Sequence, residues 1–230
     1  VKEIAAMNNV HATFMPKPIE SIQGSGMHLH LSLFKGEQNA FYDENDAYNL
    51  SDTAKCFMAG LLRHAAEITA VTNQTVNSYK RLVPGFEAPV HISWARNNRS
   101  GLIRVPIAKR NSDSATRIEY RSPDPACNPY LAFSVILAAG LRGIQEGYEL
   151  PVEADANLFE MDNDVLEKMS IHQLPQSLNE ALHVMENSTL VAEALGDHIF
   201  EWFLRNKRAE WRTYKTHISQ YELGRYLRSL

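Results

Sequence analysis

Cysteine is scarce in this chain of 230 residues: there are two, Cys56 and Cys127, far apart in sequence. They fit neither a disulfide framework nor a thiolate metal site, so a reducing cytoplasm is the natural setting. Long apolar runs are missing as well. No stretch approaches the ~20 residues that a membrane-spanning helix needs, and no signal peptide opens the sequence. Net charge is small, −4, from 23 Lys and Arg against 27 Asp and Glu. No global field therefore draws in nucleic acid or a membrane surface. There is no internal repeat and no low-complexity tract. What is present is an ordinary globular composition, 44% hydrophobic and 22% charged, sufficient for a sizeable core. The sequence lacks an initiator Met and begins inside an apparent amphipathic helix (Ile4, Ala5 and Val10 on its apolar side), so a longer parent chain is expected.

Periodicity outlines the elements. "HATFM" (11–15) reads as a strand. From Met27 to Leu33 apolar residues alternate with His28, His30 and Ser32, the mark of a half-buried strand that aims both imidazoles and the hydroxyl one way. Residues 51–73 read as a helix N-capped by Ser51, with Ala54, Phe57, Met58, Leu61, Leu62, Ala65 and Ile68 at helical spacing. A loop punctuated by Pro84, Gly85 and Pro89 precedes three short strand-like runs, "VHISWA", "LIRVPI" and "RIEYRS". A helix follows with Asn128 as N-cap and Pro129 at its first position; apolar on nearly every side, it should be central. Residues 149–164 hold six acidic side chains and no basic one, which reads as a solvated linker. Beyond Leu174 the chain looks helical to its end, with Ser219 and Glu222 as a capping box and a basic tail whose arginines and lysines suit solvent or subunit contacts. Short strands separating long helices imply a mixed sheet with helices packed on it.

Four constellations could carry chemistry. His28 and His30 follow the turn Gln23–Gly24–Ser25–Gly26, whose glycines permit close backbone approach to an anion or polar group. A metal site, a phosphate loop and a merely polar sheet face all remain open there. In "RIEYRS", Arg117, Glu119 and Arg121 share one strand face; cation, carboxylate and cation in a row is costly to bury unless it serves something. Glu119 could hold a hard divalent cation while the arginines grip a phosphate or carboxylate; a surface ion-pair ladder is the plain alternative. Arg81, Arg99 and Arg104 precede that segment, and if they converge with Arg117 and Arg121 the partner should be highly anionic, such as a nucleotide triphosphate with its metal. Glu87 sits in the Pro- and Gly-bounded loop, either a lid carboxylate or part of a rigid turn.

In order along the chain, these pieces resemble glutamine synthetase of the bacterial and archaeal type I, in its C-terminal catalytic portion. "KPIESIQGSGMHLHLS" is similar to the family's ATP-region signature. "NSYKRLVPGFEAP" and "RNNRSGLIRVP" are similar to its glutamate and flap segments, and "RIEYRSPDPACNPYLAFSVILAAGLRGI" to its metal-ligand strand and following helix. The resemblance runs through essentially the whole chain. It implies an α/β (α+β) fold: a mixed, largely antiparallel, curved sheet flanked by helices, with a helical C-terminal tail. It implies ATP-dependent joining of ammonia to the γ-carboxylate of glutamate, through γ-glutamyl phosphate, giving glutamine, ADP and phosphate. Carried over by resemblance, His28 is the histidine ligand of one metal and Glu119 a carboxylate ligand of another. His30, Ser32, Arg104 and Arg117 contact ATP; Gly24, Arg81, Arg99 and Arg121 contact glutamate and the γ-phosphate. Glu87 is the flap carboxylate that helps take a proton from ammonium, so Glu87 and Arg99 form the catalytic pair. The implied cofactors are Mg²⁺ or Mn²⁺, two or three per complete site, with ATP as co-substrate. The implied partners are glutamate, ammonium and further subunits, a cytoplasmic dodecamer of two hexameric rings, with neither nucleic acid nor membrane.

Two departures are visible. Family members carry Asn where this chain has Gln23, which keeps a related γ-glutamyl amine or polyamine ligase in view. Phe159 stands near the tyrosine that the adenylylated subgroup modifies, and it has no hydroxyl to modify. Residues 1–230 correspond to the C-terminal part of the catalytic domain. The family's N-terminal β-grasp domain and first metal-binding strands lie upstream of this segment, so the isolated chain is expected to be inactive or nearly so. A non-catalytic relative kept for assembly is the third possibility.

Overall fold

A computed structural model describes the chain apart from residues 86–87, 97–100, 107–112, 155–157, 159–160, 162–164, 167–168 and 170. The N-terminal helix α1 (Lys2–Met7) forms as expected. "HATFM" does not become a strand; its Phe14 and Met15 are 42% and 44% exposed, and β propensity without a partner strand yields no ladder.

Four short strands build the central sheet: β1 (Leu29–Leu31), β4 (His91–Ala95), β5 (Gly101–Arg104) and β6 (Ile118–Tyr120). Their order is β1-β6-β5-β4, antiparallel at the first two junctions and parallel at the third. The sheet is mixed, as the sequence led one to expect. A separate hairpin pairs β2 (Phe34–Lys35) with β3 (Gln38–Asn39). Register decides what shares a face: Leu29, Tyr120 and Ile103 form one cross-strand row, and His30, Glu119 and Arg104 the next. A slip of one residue would exchange the two rows between faces.

Helices α2 (Asp52–Arg63), α3 (Ala65–Thr72), α4 (Ser78–Arg81), α5 (Pro129–Glu146), α6 (Leu178–Glu186), α7 (Thr189–Thr216) and α8 (Gln220–Tyr226) complete the chain. Their starts obey the local chemistry. Ser51 accepts from the Ala54 amide, Asn128 from those of Tyr130 and Leu131 with Pro129 next to it, and Ser219 with Glu222 makes a reciprocal capping box. The expected single helix over 51–73 breaks at His64, where φ/ψ is −98°/8°. α7 bends at Gly196, whose φ of +71° and ψ of 153° no side-chain-bearing residue adopts without strain.

α2 and α5 cross in close contact. A Cβ added at Gly60 would lie 2.2 Å from the Ala139 carbonyl oxygen, one at Gly143 would lie 2.1 Å from that of Cys56, and one at Gly140 would meet the Phe57 ring at 2.2 Å. α5 is less central than its composition suggests. Ala132, Val135, Ile136 and Ala139 are fully buried, while Tyr130, Phe133, Leu137 and Leu141 form a stripe 41–81% exposed. The acidic stretch is not merely a solvated linker either: Ala154, Leu158 and Leu166 form a small buried cluster. The Trp94 indole donates to the Pro151 carbonyl (2.7 Å), and Glu153 accepts from the Tyr48 hydroxyl (2.7 Å) and the Arg96 amide (2.8 Å). Apolar residues spaced irregularly among the acids hide this anchoring from a periodicity reading.

At the α2–α3 break the His64 ring donates to Glu67 (2.8 Å), whose other oxygen accepts from Ser188, the N-cap of α7. Burial alone would push the Glu67 carboxyl up, but the hydrogen bonds from His64 and Ser188 hold it below the ordinary 4.5. A depressed carboxylate adds stability above its unfolded value and loses it as pH falls through the folded value. Glu67→Gln should therefore destabilise the protein at pH 7 by about 1–3 kcal/mol, with the gap to wild type closing below about pH 4.5. Urea titrations at pH 7 and pH 4 measure it; an equal gap at both would refute the assignment.

Candidate active site

Glu119 is the hub. On β6, 5% exposed, it lies in the row shared with His30 and Arg104. One carboxylate oxygen contacts His28 Nδ1 at 2.8 Å and the other accepts from Arg104 Nη1 at 2.8 Å; Arg121 Nε is 3.7 Å from the first. Burial alone would raise the Glu119 carboxyl, but the hydrogen bond from Arg104 and the charges of His28, Arg104 and Arg121 hold it below its usual range. His28 moves the same way, pushed down first by burial and then by Arg121. Burial and Arg121 thus disfavour the charged imidazole while Glu119 favours it, and the two side chains meet in a direct contact.

The rest of the site is layered around this hub. The Arg117 Nε donates to His30 Nδ1 at 3.3 Å, and its Nη1 to the Ala115 carbonyl at 3.0 Å. Ser32 is exposed two residues further along the chain. Arg121, 6% exposed, reaches the Gly101 carbonyl. Arg81, at the end of α4, is only 4% exposed and donates to three consecutive carbonyls: Ser122 (2.6 Å), Pro123 (3.3 Å) and Arg121 (3.2 Å). The glycine-rich turn lies directly on this arginine. A Cβ at Gly26 would be 2.4 Å from Arg81 Nη2 and 3.2 Å from His28 Nε2, and one at Gly24 would be 2.3 Å from the Pro16 carbonyl oxygen. Close backbone approach is thus required at both glycines. Lys17 anchors the segment through paired hydrogen bonds with Asn77 (2.8 and 3.0 Å).

His28, Arg104 and Arg121 thus gather on Glu119. Arg117 contacts His30, which pairs with Glu119 across β1 and β6. Arg81, with Gly24 against it, holds the main chain at 121–123. Glu87 and Arg99 lie outside the described residues, as does Phe159. The sequence reading missed Asp124 and Asn73, while the close approach at Gly26 was expected from the Gly-Ser-Gly turn. Asp124 lies in an irregular segment with no period to flag it, and Asn73 closes a helix, where a polar residue reads as an ordinary cap. Among the described residues no group of three or more His, Cys, Asp or Glu side chains could hold a metal ion. An imidazole and a carboxylate side by side are nevertheless donor types that a divalent cation takes. Among the described residues no helix is long and apolar enough to cross a membrane.

A buried carboxylate flanked by arginines, with His28 and His30 at β1 behind a glycine turn, is an arrangement suited to ligase chemistry on anions. Comparison with known proteins gives the family. The family model described as glutamine synthetase, catalytic domain, matches residues 1–226. The glutamine synthetase of Mycolicibacterium smegmatis is 55% identical over 227 residues, and that of Thermotoga maritima 50%; each alignment covers 99% of this chain and 51% of the relative. Among solved structures, apo GmaS without ligand superposes with a TM-score of 0.84 at 37% identity, covering 99% of this chain and 50% of that one. A GmaS/ADP complex gives 0.87 at 36%, covering 98% and 51%. The chain belongs to the glutamine synthetase catalytic-domain family. It spans about half the length of the curated relatives it matches.

Proposed function

We propose that this chain is the C-terminal part of the catalytic domain of a glutamate–ammonia ligase, using ATP to make glutamine by way of γ-glutamyl phosphate. The carrying observation is Glu119, ionised and held between His28, Arg104 and Arg121. In this reading His30, Ser32, Arg104 and Arg117 bind ATP, and Gly24, Arg81, Arg99 and Arg121 bind glutamate and the transferring phosphoryl group. His28 and Glu119 would hold Mg²⁺ or Mn²⁺. Such an ion, when bound, supplies Lewis-acid neutralisation of phosphate charge.

The steps follow from charge. A γ-carboxylate oxygen of glutamate attacks the γ-phosphorus while the bond to ADP breaks, so two anions must approach one another. The guanidiniums of Arg104, Arg117 and Arg121 offset that repulsion, and Arg99 would steady the equatorial oxygens. Ammonia then attacks the acyl carbon, phosphate leaves, and Glu87 takes the proton lost from nitrogen. The active form is proposed to be a cytoplasmic dodecamer of two hexameric rings.

Gln23, standing where family members carry Asn, supports a second reading in which another amine or a polyamine replaces ammonia. Identities of 50–55% to proteins named glutamine synthetase favour ammonia. The test is the full-length protein with ATP, Mn²⁺, glutamate and either ammonium, methylamine or a polyamine, read by phosphate release and mass spectrometry of the product. Glutamine formed at the highest kcat/KM supports the proposal. A dominant N-alkylated product would move it to the second reading. No product, and no shift of melting temperature with Mn²⁺ and ATP, would indicate an assembly protein. The isolated 230-residue chain should give no turnover in the same assay.

A further inference from the structure

Behind Arg81 lies a polar cluster that the proposed reaction does not use. Asn73, Ser78, Ser122 and Asp124 are all fully buried. The Asn73 amide donates both to the Ser122 carbonyl (2.8 Å) and to the Asp124 carboxylate (3.1 Å), and its oxygen accepts from Thr72 (2.9 Å). The other Asp124 oxygen accepts from the Ala126 amide (3.0 Å). Asn73 and Arg81 therefore converge on one carbonyl, that of Ser122, from α3 and α4 respectively. A fully buried carboxylate is costly unless it is compensated. Burial pushes the Asp124 carboxyl up, against hydrogen bonds from Ser78, the Ala126 amide and Asn73 and the charge of Arg81. Burial also pulls the Arg81 guanidinium down to about 10, and Asp124 opposes that pull. Arg81 in turn carries the glycine turn on one side and the 121–123 main chain on the other.

We infer that Asp124, acting through Asn73 and the Ser122 carbonyl, is a positioning residue that fixes the Arg81 guanidinium against the Gly24–Gly26 turn, and so sets affinity for the amino-acid substrate. The inference rests on the reading of Arg81 as a glutamate contact. Asp124 touches neither ATP-binding side chains nor Glu119, so its effect should be confined to one substrate.

The test uses the full-length protein carrying Asp124→Asn. The KM for glutamate should rise at least fivefold while the KM for ATP stays within twofold. A double-mutant cycle with Arg81→Met, read by melting temperature, should be non-additive, the double variant losing less than the sum of the single ones. If Asp124→Asn does not accumulate as folded protein, Asn73→Ala takes its place under the same KM criterion. Equal rises in both KM values, or a fall in kcat alone, would overturn the inference. If the wild type uses no glutamate, the proposed function fails and the cycle alone decides: additive melting temperatures remove the Asp124–Arg81 link, and non-additive ones keep it.

Discussion

Glu119→Ala in the full-length protein should lower the rate of phosphate release with ATP, glutamate and ammonium by ~10³-fold or more. The physical reason lies in what remains. His28, Arg104 and Arg121 would face a vacated carboxylate position and lose the shared charge that aligns them toward an incoming anion. Arg104, 39% exposed, can turn toward water; Arg121, 7% exposed, keeps its contact with the Gly101 carbonyl but loses the carboxylate charge beside it, which destabilises the fold. Glu119→Gln separates the two effects, since it keeps the shape and loses the charge. It should be as inactive as the alanine variant but melt closer to wild type. Both variants should also lose the stabilisation that Mn²⁺ gives the wild type. A normal rate, or an undiminished Mn²⁺ shift, in either variant would remove Glu119 from the centre of the site.

The second large effect is structural. Gly60→Ala and Gly143→Ala each place a methyl within 2.2 Å of a main-chain oxygen on the facing helix. Backbone cannot step aside as a long side chain can, so α2 and α5 must separate, opening the packing of Ala139, Ile136 and Phe57 beneath. The cost should reach about 3 kcal/mol, a fall of roughly 10 °C in melting temperature. Gly224→Ala is the control. It too lies in a helix, but an added Cβ meets nothing within 4 Å, so helix propensity makes it neutral or slightly stabilising. Scanning calorimetry on the three variants distinguishes a crossing effect from a general one; equal melting temperatures would contradict the close approach.

Much of the site was legible in sequence because strands have period two. His28 and His30, and Arg117, Glu119 and Arg121, each announce a shared face by alternation alone. What alternation cannot give is register. That Arg104 and His30 flank Glu119, and that His28 Nδ1 meets its carboxylate, depends on which residues pair across β1, β6 and β5. The break at His64 was hidden because the apolar spacing of α2 runs on into α3 with no Gly or Pro to mark it. Asp124 was hidden for the opposite reason, lying where the chain has no period, and Asn73 because a polar residue at a helix end reads as a cap. α5 was misjudged because composition counts apolar residues without saying which side is covered.

Among the described residues β1 pairs on one side only, with β6. Its other side is a row of main-chain donors and acceptors, and an open sheet edge is a template for strand addition. That edge is only three residues long, which limits such addition, and a strand laid along it would lie directly beside His30. Whatever pairs with β1 would therefore also wall one side of the chemistry.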